Sequence, residues 1–443
     1  MSWIADTLEE FKDQALIIKD EGRITYGDVL AAVTGWQKRF KELGLKKGDC
    51  VAIIDDNSEA TVFLVLALLA NRNIVLLPME DNERTAKNLE IAYVNGFFQP
   101  KDGDFVYERR AEEKSHLLLD TLRDSDEAGL IILTSGSTGD PKAAVHQFSK
   151  LVSKNSAKKK KSFRTLVFLK LDHIGGINTL LAIMAAGGSV VMIKDRTPAT
   201  ICQAIANHEV ELLPTTPSFL NMLIMAQAHE KYDLSSLKMI TYGTEPMHQS
   251  TLNSLAKIFP DLKLKQTYGA TELGIFPTKS KGNGSRWMKV GGNGVETKIK
   301  DGTLHIRTKS VMLGYLNATA NIDDEGWYNT NDKVEVDGDY LKILGRQEEI
   351  INVGGEKVYP AEIESVLLEM DNVEDVAVRG VKNPVVGAIV GATFVLENPE
   401  EKVDFNKRMI DFCLEKLDGH KIPRLIDFSD GTLMGSRFKK MRL

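Results

Sequence analysis

The stretch LTSGSTGDPK, Leu133–Lys142, follows an apolar run and concentrates groups that can hold an anion. Gly136 and Gly139 permit positive φ and a close approach of the backbone to a ligand. Backbone N–H groups and the hydroxyls of Thr134, Ser135, Ser137 and Thr138 can all donate to phosphate oxygens. Lys142 adds a point charge on a flexible stem. The order G-S-T-G-D-P-K is not G-x-x-x-x-G-K-[ST], and no G-x-G-x-x-G joins a strand to a helix. Residue chemistry alone therefore points to a polyphosphate grip, leaves the reaction open, and leaves a plain Ser/Gly-rich connecting loop as the alternative.

Three further segments follow in order. They are TYGATE (Thr267–Glu272), GWYNTNDKVEVDGDYLKILGR (Gly326–Arg346) and GGEKVYPAEIE (Gly354–Glu364). Taken singly, each has a bland reading: a core tyrosine, a surface glutamate, a turn aspartate. Taken with the first loop, the four resemble the phosphate, adenine/magnesium, ribose and C-terminal glycine motifs of the adenylate-forming superfamily. That superfamily holds the acyl- and aryl-CoA synthetases, the luciferases and the adenylation domains of peptide synthetases. The resemblance covers nearly the whole chain, with an N-terminal part shorter than the family norm.

The resemblance implies attack of a carboxylate on the α-phosphate of ATP, loss of pyrophosphate, then thioester formation with coenzyme A. An anionic nucleophile meeting an anionic triphosphate needs charge neutralisation and alignment, and the motif residues suit that task. By resemblance, Glu272 ligates Mg2+, a hard cation suited to oxygen donors, and Thr271 donates to the α-phosphate. Tyr268 stacks on adenine, with Gly243, Thr244 and Glu245 of YGTEP on the other face and Thr267 and Gly269 beside it. Asp332 accepts from the ribose hydroxyls and Arg346 donates to the same sugar, while the loop Thr134–Gly139 and Lys142 take the β- and γ-phosphates.

Two departures leave the charged groups in place. Asn331 stands where the family commonly has Gly, and Asn tolerates the left-handed conformation. Ala143–Ala144 replaces the usual Gly-Val after Lys142. His173 in LDHIGG falls where acyl- and aryl-acid members carry a His beside the carboxylate, although a lone His is as often structural. Asp172 is out of register with the Asp that amino-acid-activating members use, which favours an amine-free aryl or acyl acid. Glu348, second after Arg346, occupies the family's hinge position, where Asp or Lys is usual, and Gly354–Gly355 the path of a pantetheine thiol. The adenylation lysine belongs in a G-K-x-x-R motif, but this chain reads GSRFKKMRL, with Ser436 after Gly435. Lys439 is the preferred replacement, Lys440 the next, and a solvated basic tail the alternative to both.

The elements that must position these residues are readable from pattern. GLIILTS, DCVAIID, NIVLLPM, TLVFLKL, GGSVVMI and VELLPTT are short apolar runs separated by helix-length segments, which argues for largely parallel α/β sheets. After Asp261, short strands joined by Asp-Gly turns predict antiparallel hairpins. The expected fold is α/β multidomain: a large N-terminal domain (1–346) of two αβαβα-type subdomains plus a β-barrel-like part, and a small mobile α+β domain (347–443).

The 443 residues are 43% hydrophobic and 27% charged with net charge −6, which suits a globular protein and disfavours nucleic acid as a partner. Cys50, Cys202 and Cys413 are widely spaced, the N-terminus lacks a signal-peptide pattern, and TVFLVLALLA is too short to span a bilayer. Those features predict a cytoplasmic protein without membrane insertion. The lysine run Lys158–Lys161 reads as a solvated loop. The expected partners are a small carboxylic acid, ATP and CoA. Alternative readings are transfer to the phosphopantetheine of an acyl carrier protein, a homodimer, and a non-catalytic nucleotide- or acyl-binding regulator.

Overall fold

The computed structural model describes residues 3–442 apart from 56–57, 112–113, 135–140, 154–160, 194, 293, 432 and 435–439. Two seven-stranded sheets form the larger part. One runs in the order Lys263–Gln266, Met239–Tyr242, Leu212–Thr215, Arg164–Leu166, Ser189–Val191, Ala15–Lys19, Gly22–Thr25, parallel except for its last pair. The other runs Gly314–Tyr315, Lys142–Gln147, Gly129–Thr134, Ile74–Met79, Cys50–Ile54, Gly96–Lys101, Asp104–Arg109. Its four central strands, Gly129–Thr134 to Gly96–Lys101, are parallel, and antiparallel strands close both edges.

Helices lie between the sheets, and the most deeply buried of them has no polar face to expose. In Glu59–Ala70, eight residues from Thr61 to Leu69 are buried, the pattern of a helix apolar all round. Ser58 starts it by accepting the Thr61 N–H at 3.1 Å. Tyr26–Glu42 begins with a capping box between Thr25 and Asp28. One hydrophobic core joins both sheets through these helices and Ile174–Met184, with Ile17 and Val190 on one side and Val51, Val75 and Leu130 on the other. Parallel strands then bring their carboxyl ends, and the loops that follow them, to a common edge, where α/β sheets bind ligands.

The segment after Asp261 forms a six-stranded antiparallel sheet, Thr278–Ser280, Met288–Val290, Tyr340–Arg346, Tyr328–Asp337, Thr303–Thr308, Val295–Lys300. Asp301 and Gly302 both have positive φ (52° and 69°), as the expected Asp-Gly turn requires. The second hairpin differs. Asp337 pairs with Tyr340, so its turn is Gly338–Asp339, and only Gly338 takes positive φ. Strand register, set by the alternation of buried residues, moved the turn one residue along.

After Arg346 the chain makes the 3-10 turn Gln347–Glu349. A five-stranded sheet then packs against the helices Pro360–Leu367 and Lys402–Leu414 around Phe394, Phe405 and Met409. Among the described residues, no helix is long and apolar enough to cross a membrane.

Candidate active site

A cleft of about 690 Å³ opens where the carboxyl ends of both parallel sheets meet the small domain, a volume that suits a drug-sized ligand. Thr134, Lys142, His173, Gly243–Glu245, Thr267–Glu272, Asp332, Arg346 and Glu348 all border it. Ser135, Gly136, Ser137, Thr138 and Gly139 of the first loop lie outside the described residues, as does Lys439. Thr134 and Lys142 face each other as the last pair of two antiparallel strands, so a strand and not a helix begins at Lys142.

Asp332 and Arg346 are cross-strand partners on adjacent strands, which places their side chains together. Arg346 Nε lies 3.2 Å from Asp332 Oδ1, and Tyr268 Oη donates to Asp332 Oδ2 at 2.5 Å. Each carboxylate oxygen keeps a second lone pair, so Asp332 retains acceptor capacity for a diol. Burial raises the Asp332 pKa, and the Arg346 charge works against that rise. Tyr268 is itself pushed up by burial and by Asp332, so its hydroxyl stays a donor. Asn331 takes φ 59°, the left-handed conformation that its type tolerates, and its N–H is taken up by Asn329 Oδ1 at 2.9 Å.

Thr267 ties the TYGATE segment to the strand Met239–Tyr242, its N–H donating to the Tyr242 carbonyl at 2.7 Å. A Cβ on Gly243 would lie 2.8 Å from the Thr267 carbonyl oxygen, so only glycine lets these strand ends pass so closely. Next to it Thr244 holds φ 76°, strain of about 1–3 kcal/mol at the cleft wall. The Glu245 carboxylate accepts the Ser218 N–H at 2.8 Å in the first turn of Pro217–Met225.

Glu272 is oriented by groups that sequence motifs did not single out. Tyr315 Oη donates to Glu272 Oε1, and Lys142 Nζ sits 5.6 Å above the Tyr315 ring. Burial first, then Glu272, raises the Tyr315 pKa, which keeps that hydroxyl protonated. Two residues on, Asn317 accepts the Ala143 N–H at 3.0 Å and donates to the Pro141 carbonyl at 2.9 Å, clamping the exit of the phosphate loop. His146, 1% exposed, donates from Nε2 to the Thr271 carbonyl at 2.7 Å. The only signal for Tyr315 and Asn317 was the short MLGYLN stretch, whose strand has two residues and no period to detect.

His173 caps the helix Ile174–Met184, its Nδ1 accepting the Gly175 N–H at 3.1 Å, which puts the ring proton of the neutral form on Nε2. It also borders the cleft. Asp172 is not among the lining residues. Among the described residues no group of three His, Cys, Asp or Glu could hold a metal. A single carboxylate, Glu272, fits a Mg2+ ion held chiefly by nucleotide phosphates and water.

Gly354 and Gly355, both with positive φ (62° and 98°), form the two-residue tip of the hairpin Ile351–Val353/Glu356–Val358, exposed and outside the cleft lining. Lys440 reaches the cleft by its backbone, while its Nζ lies between Asp375 Oδ1 (2.7 Å) and the Val376 carbonyl (2.8 Å) on the small domain.

The profile of the family described as "AMP-binding enzyme" matches residues 80–316, and that of its C-terminal domain residues 362–435. A 2-succinylbenzoate–CoA ligase of Bacillus licheniformis is 26% identical, aligned over 100% of this chain and 98% of its own. A 4-coumarate:CoA ligase of Petunia hybrida is 25% identical over 93% of this chain and 88% of its own. Among solved structures, an anthranilate CoA ligase in complex with anthranoyl-AMP superposes with TM-score 0.83 at 19% identity, covering 99% of this chain and 95% of that one. The o-succinylbenzoate CoA synthetase of Bacillus subtilis with its acyl-adenylate gives 0.79 at 22%, covering 98% and 96%. At such identities, the structures speak for the fold.

Proposed function

The chain belongs to the AMP-binding enzyme family, and from that premise we propose that it ligates an aryl or acyl acid to coenzyme A through an acyl-adenylate. The convergence of Asp332, Arg346 and Tyr268 with Glu272, Tyr315 and Lys142 around one cleft is the observation that carries this reading. Full-length likeness to curated aryl-CoA ligases supports it.

In this reading Asp332 and Arg346 hold the ribose, and Tyr268 and the Gly243–Glu245 backbone enclose the base. Thr134, the loop after it and Lys142 draw the terminal phosphates away from the α-phosphorus. Thr271 donates to the α-phosphate, whose negative charge grows as the carboxylate attacks. Mg2+, when bound, supplies charge neutralisation on the phosphates, and Glu272 is the residue that would hold it. His173 presents its Nε2–H side to the acid carboxylate, and Asp172 outside the lining supports an acid without an amine. The small domain then turns about Glu348 to bring Gly354–Gly355 to the cleft for the thiol. Three buried, unpaired cysteines suit a reducing compartment.

Acid-dependent exchange of labelled pyrophosphate into ATP tests the reading. Glu272→Ala should abolish exchange with the melting midpoint unchanged; exchange at the wild-type rate would remove Glu272 from the site. CoA and pantetheine compared as acceptors separate a CoA ligase from a carrier-protein enzyme. A second reading, a nucleotide- or acyl-binding regulator, is favoured by one observation, the engagement of Lys440 by Asp375 together with Ser436 in the lysine position. Absence of exchange across a broad acid panel, with ATP still bound, would establish it.

A further inference from the structure

We propose that Lys440–Arg442 is a strap that positions the small domain for the adenylate-forming step, with Arg442 as its positioning residue. The proposal rests on the two-step reading above.

On the small domain the strap is fixed at several points. Arg442 forms a two-pronged pair with Glu364, Nε to Oε1 at 2.9 Å and Nη2 to Oε2 at 2.8 Å, and reaches Glu349 at 3.1 Å. Glu364 is fully buried on the helix Pro360–Leu367 and also accepts the Val378 N–H at 2.9 Å. Lys440, its side chain 4% exposed, is held by Asp375. Burying such pairs is costly, and removing one partner leaves an uncompensated charge, so the strap moves with the small domain as one body.

Contacts to the large domain are of another kind. The Lys440 N–H donates to Glu245 Oε2 at 3.2 Å, and Glu245 is itself anchored on Ser218. The Gln249 N–H donates to Ser365 Oγ at 3.2 Å, and Asn221 Nδ2 to the Glu374 carbonyl at 3.3 Å. Each is a single hydrogen bond, the first to a carboxylate and the other two between neutral groups, and none is a two-pronged ion pair like that of Arg442 with Glu364. In this orientation the strap meets the wall of the nucleotide cleft while the Gly354–Gly355 tip faces solvent. A strap that docks on Glu245 therefore serves the orientation in which ATP and acid react. It is not needed when the glycine tip is turned inward.

Arg442→Met tests this in the full-length protein by assaying the two steps separately. Acid-dependent pyrophosphate exchange should fall at least tenfold, while thioester formation from supplied acyl-adenylate and CoA stays within twofold. Arg442→Lys, which restores the charge but not the fork, should recover part of the exchange. Should Arg442→Met fail to fold, Glu349→Gln, which loosens only the half-exposed prong, should show the same split on a smaller scale. Equal loss of both steps in a folded variant, or no loss of either, would overturn the strap. Wild-type protein that forms thioester from supplied adenylate yet exchanges no pyrophosphate would overturn the two-step reading itself, and the strap with it.

Discussion

Removing the hydroxyl of Tyr315 tests how Glu272 is oriented, since that hydroxyl donates to Glu272 and otherwise meets only its neighbour Tyr328 among the described contacts. Tyr315→Phe keeps the ring that packs with Ala144 and Met312 and lies beneath Lys142, so packing and the cation contact persist. What disappears is a donor to a carboxylate, an interaction worth about 1.5–3 kcal/mol. The cleft admits water that can replace part of it, so the lower end applies. About 1.5 kcal/mol corresponds to roughly tenfold in rate. We expect kcat/KM for pyrophosphate exchange to fall by that factor and the Mg2+ concentration at half-saturation to rise. Calorimetric ATP titrations with and without Mg2+ should show the Mg2+-dependent gain in affinity shrinking, and the melting midpoint should hold. Unchanged exchange and an unchanged Mg2+ dependence would refute the claim that Tyr315 orients the glutamate.

Two other perturbations have predictable signs. Asn331→Gly should leave stability within about 0.5 kcal/mol, whereas Asn331→Val should cost about 1–2 kcal/mol in urea unfolding, because φ 59° suits Gly and Asn but crowds a branched Cβ. His248 is pushed down to about 3, by burial first and then by Lys440. A histidine that is neutral when folded but titrates near 6.5 when unfolded loses stability as pH falls below 6.5, down to about 3. Between pH 7 and 5.5 that loss is about 1 kcal/mol, so His248→Gln should flatten this part of the profile. Glu364 cannot mimic the effect. Burial alone would raise its pKa, but Lys440 and Arg442 outweigh burial and hold it at about 2, so its loss comes only below pH 4.5. Wild type and variant with parallel stability curves from pH 7 to 5.5 would contradict the assignment.

Legibility in the sequence followed the range of each signal. Parallel strands such as Cys50–Ile54 and Ile74–Met79 were readable because burial on both faces demands continuous apolar runs. Asp332 and Arg346 were found as motif letters, and the hairpin register then explained why they meet. Tyr315, Asn317 and His146 were not readable. Each acts through contacts with chain more than 40 residues away, and no local period encodes that. The basic tail offers lysines beside the expected catalytic position, but the partner of Lys440, Asp375, lies 65 residues away and no local pattern points to it. Glu245 was similarly taken for its backbone, while its carboxylate serves a helix start and the tail.

The central claim is that a carboxylate oxygen of the acid attacks the α-phosphorus of ATP. A substrate acid found by the exchange screen, labelled with 18O in its carboxylate, tests it directly through mass analysis of the nucleotide product. With both carboxylate oxygens labelled, AMP should carry one 18O atom, acyl-CoA should retain the other in its carbonyl, and pyrophosphate should be unlabelled. Label appearing in inorganic phosphate together with ADP, or AMP released without label, would contradict it.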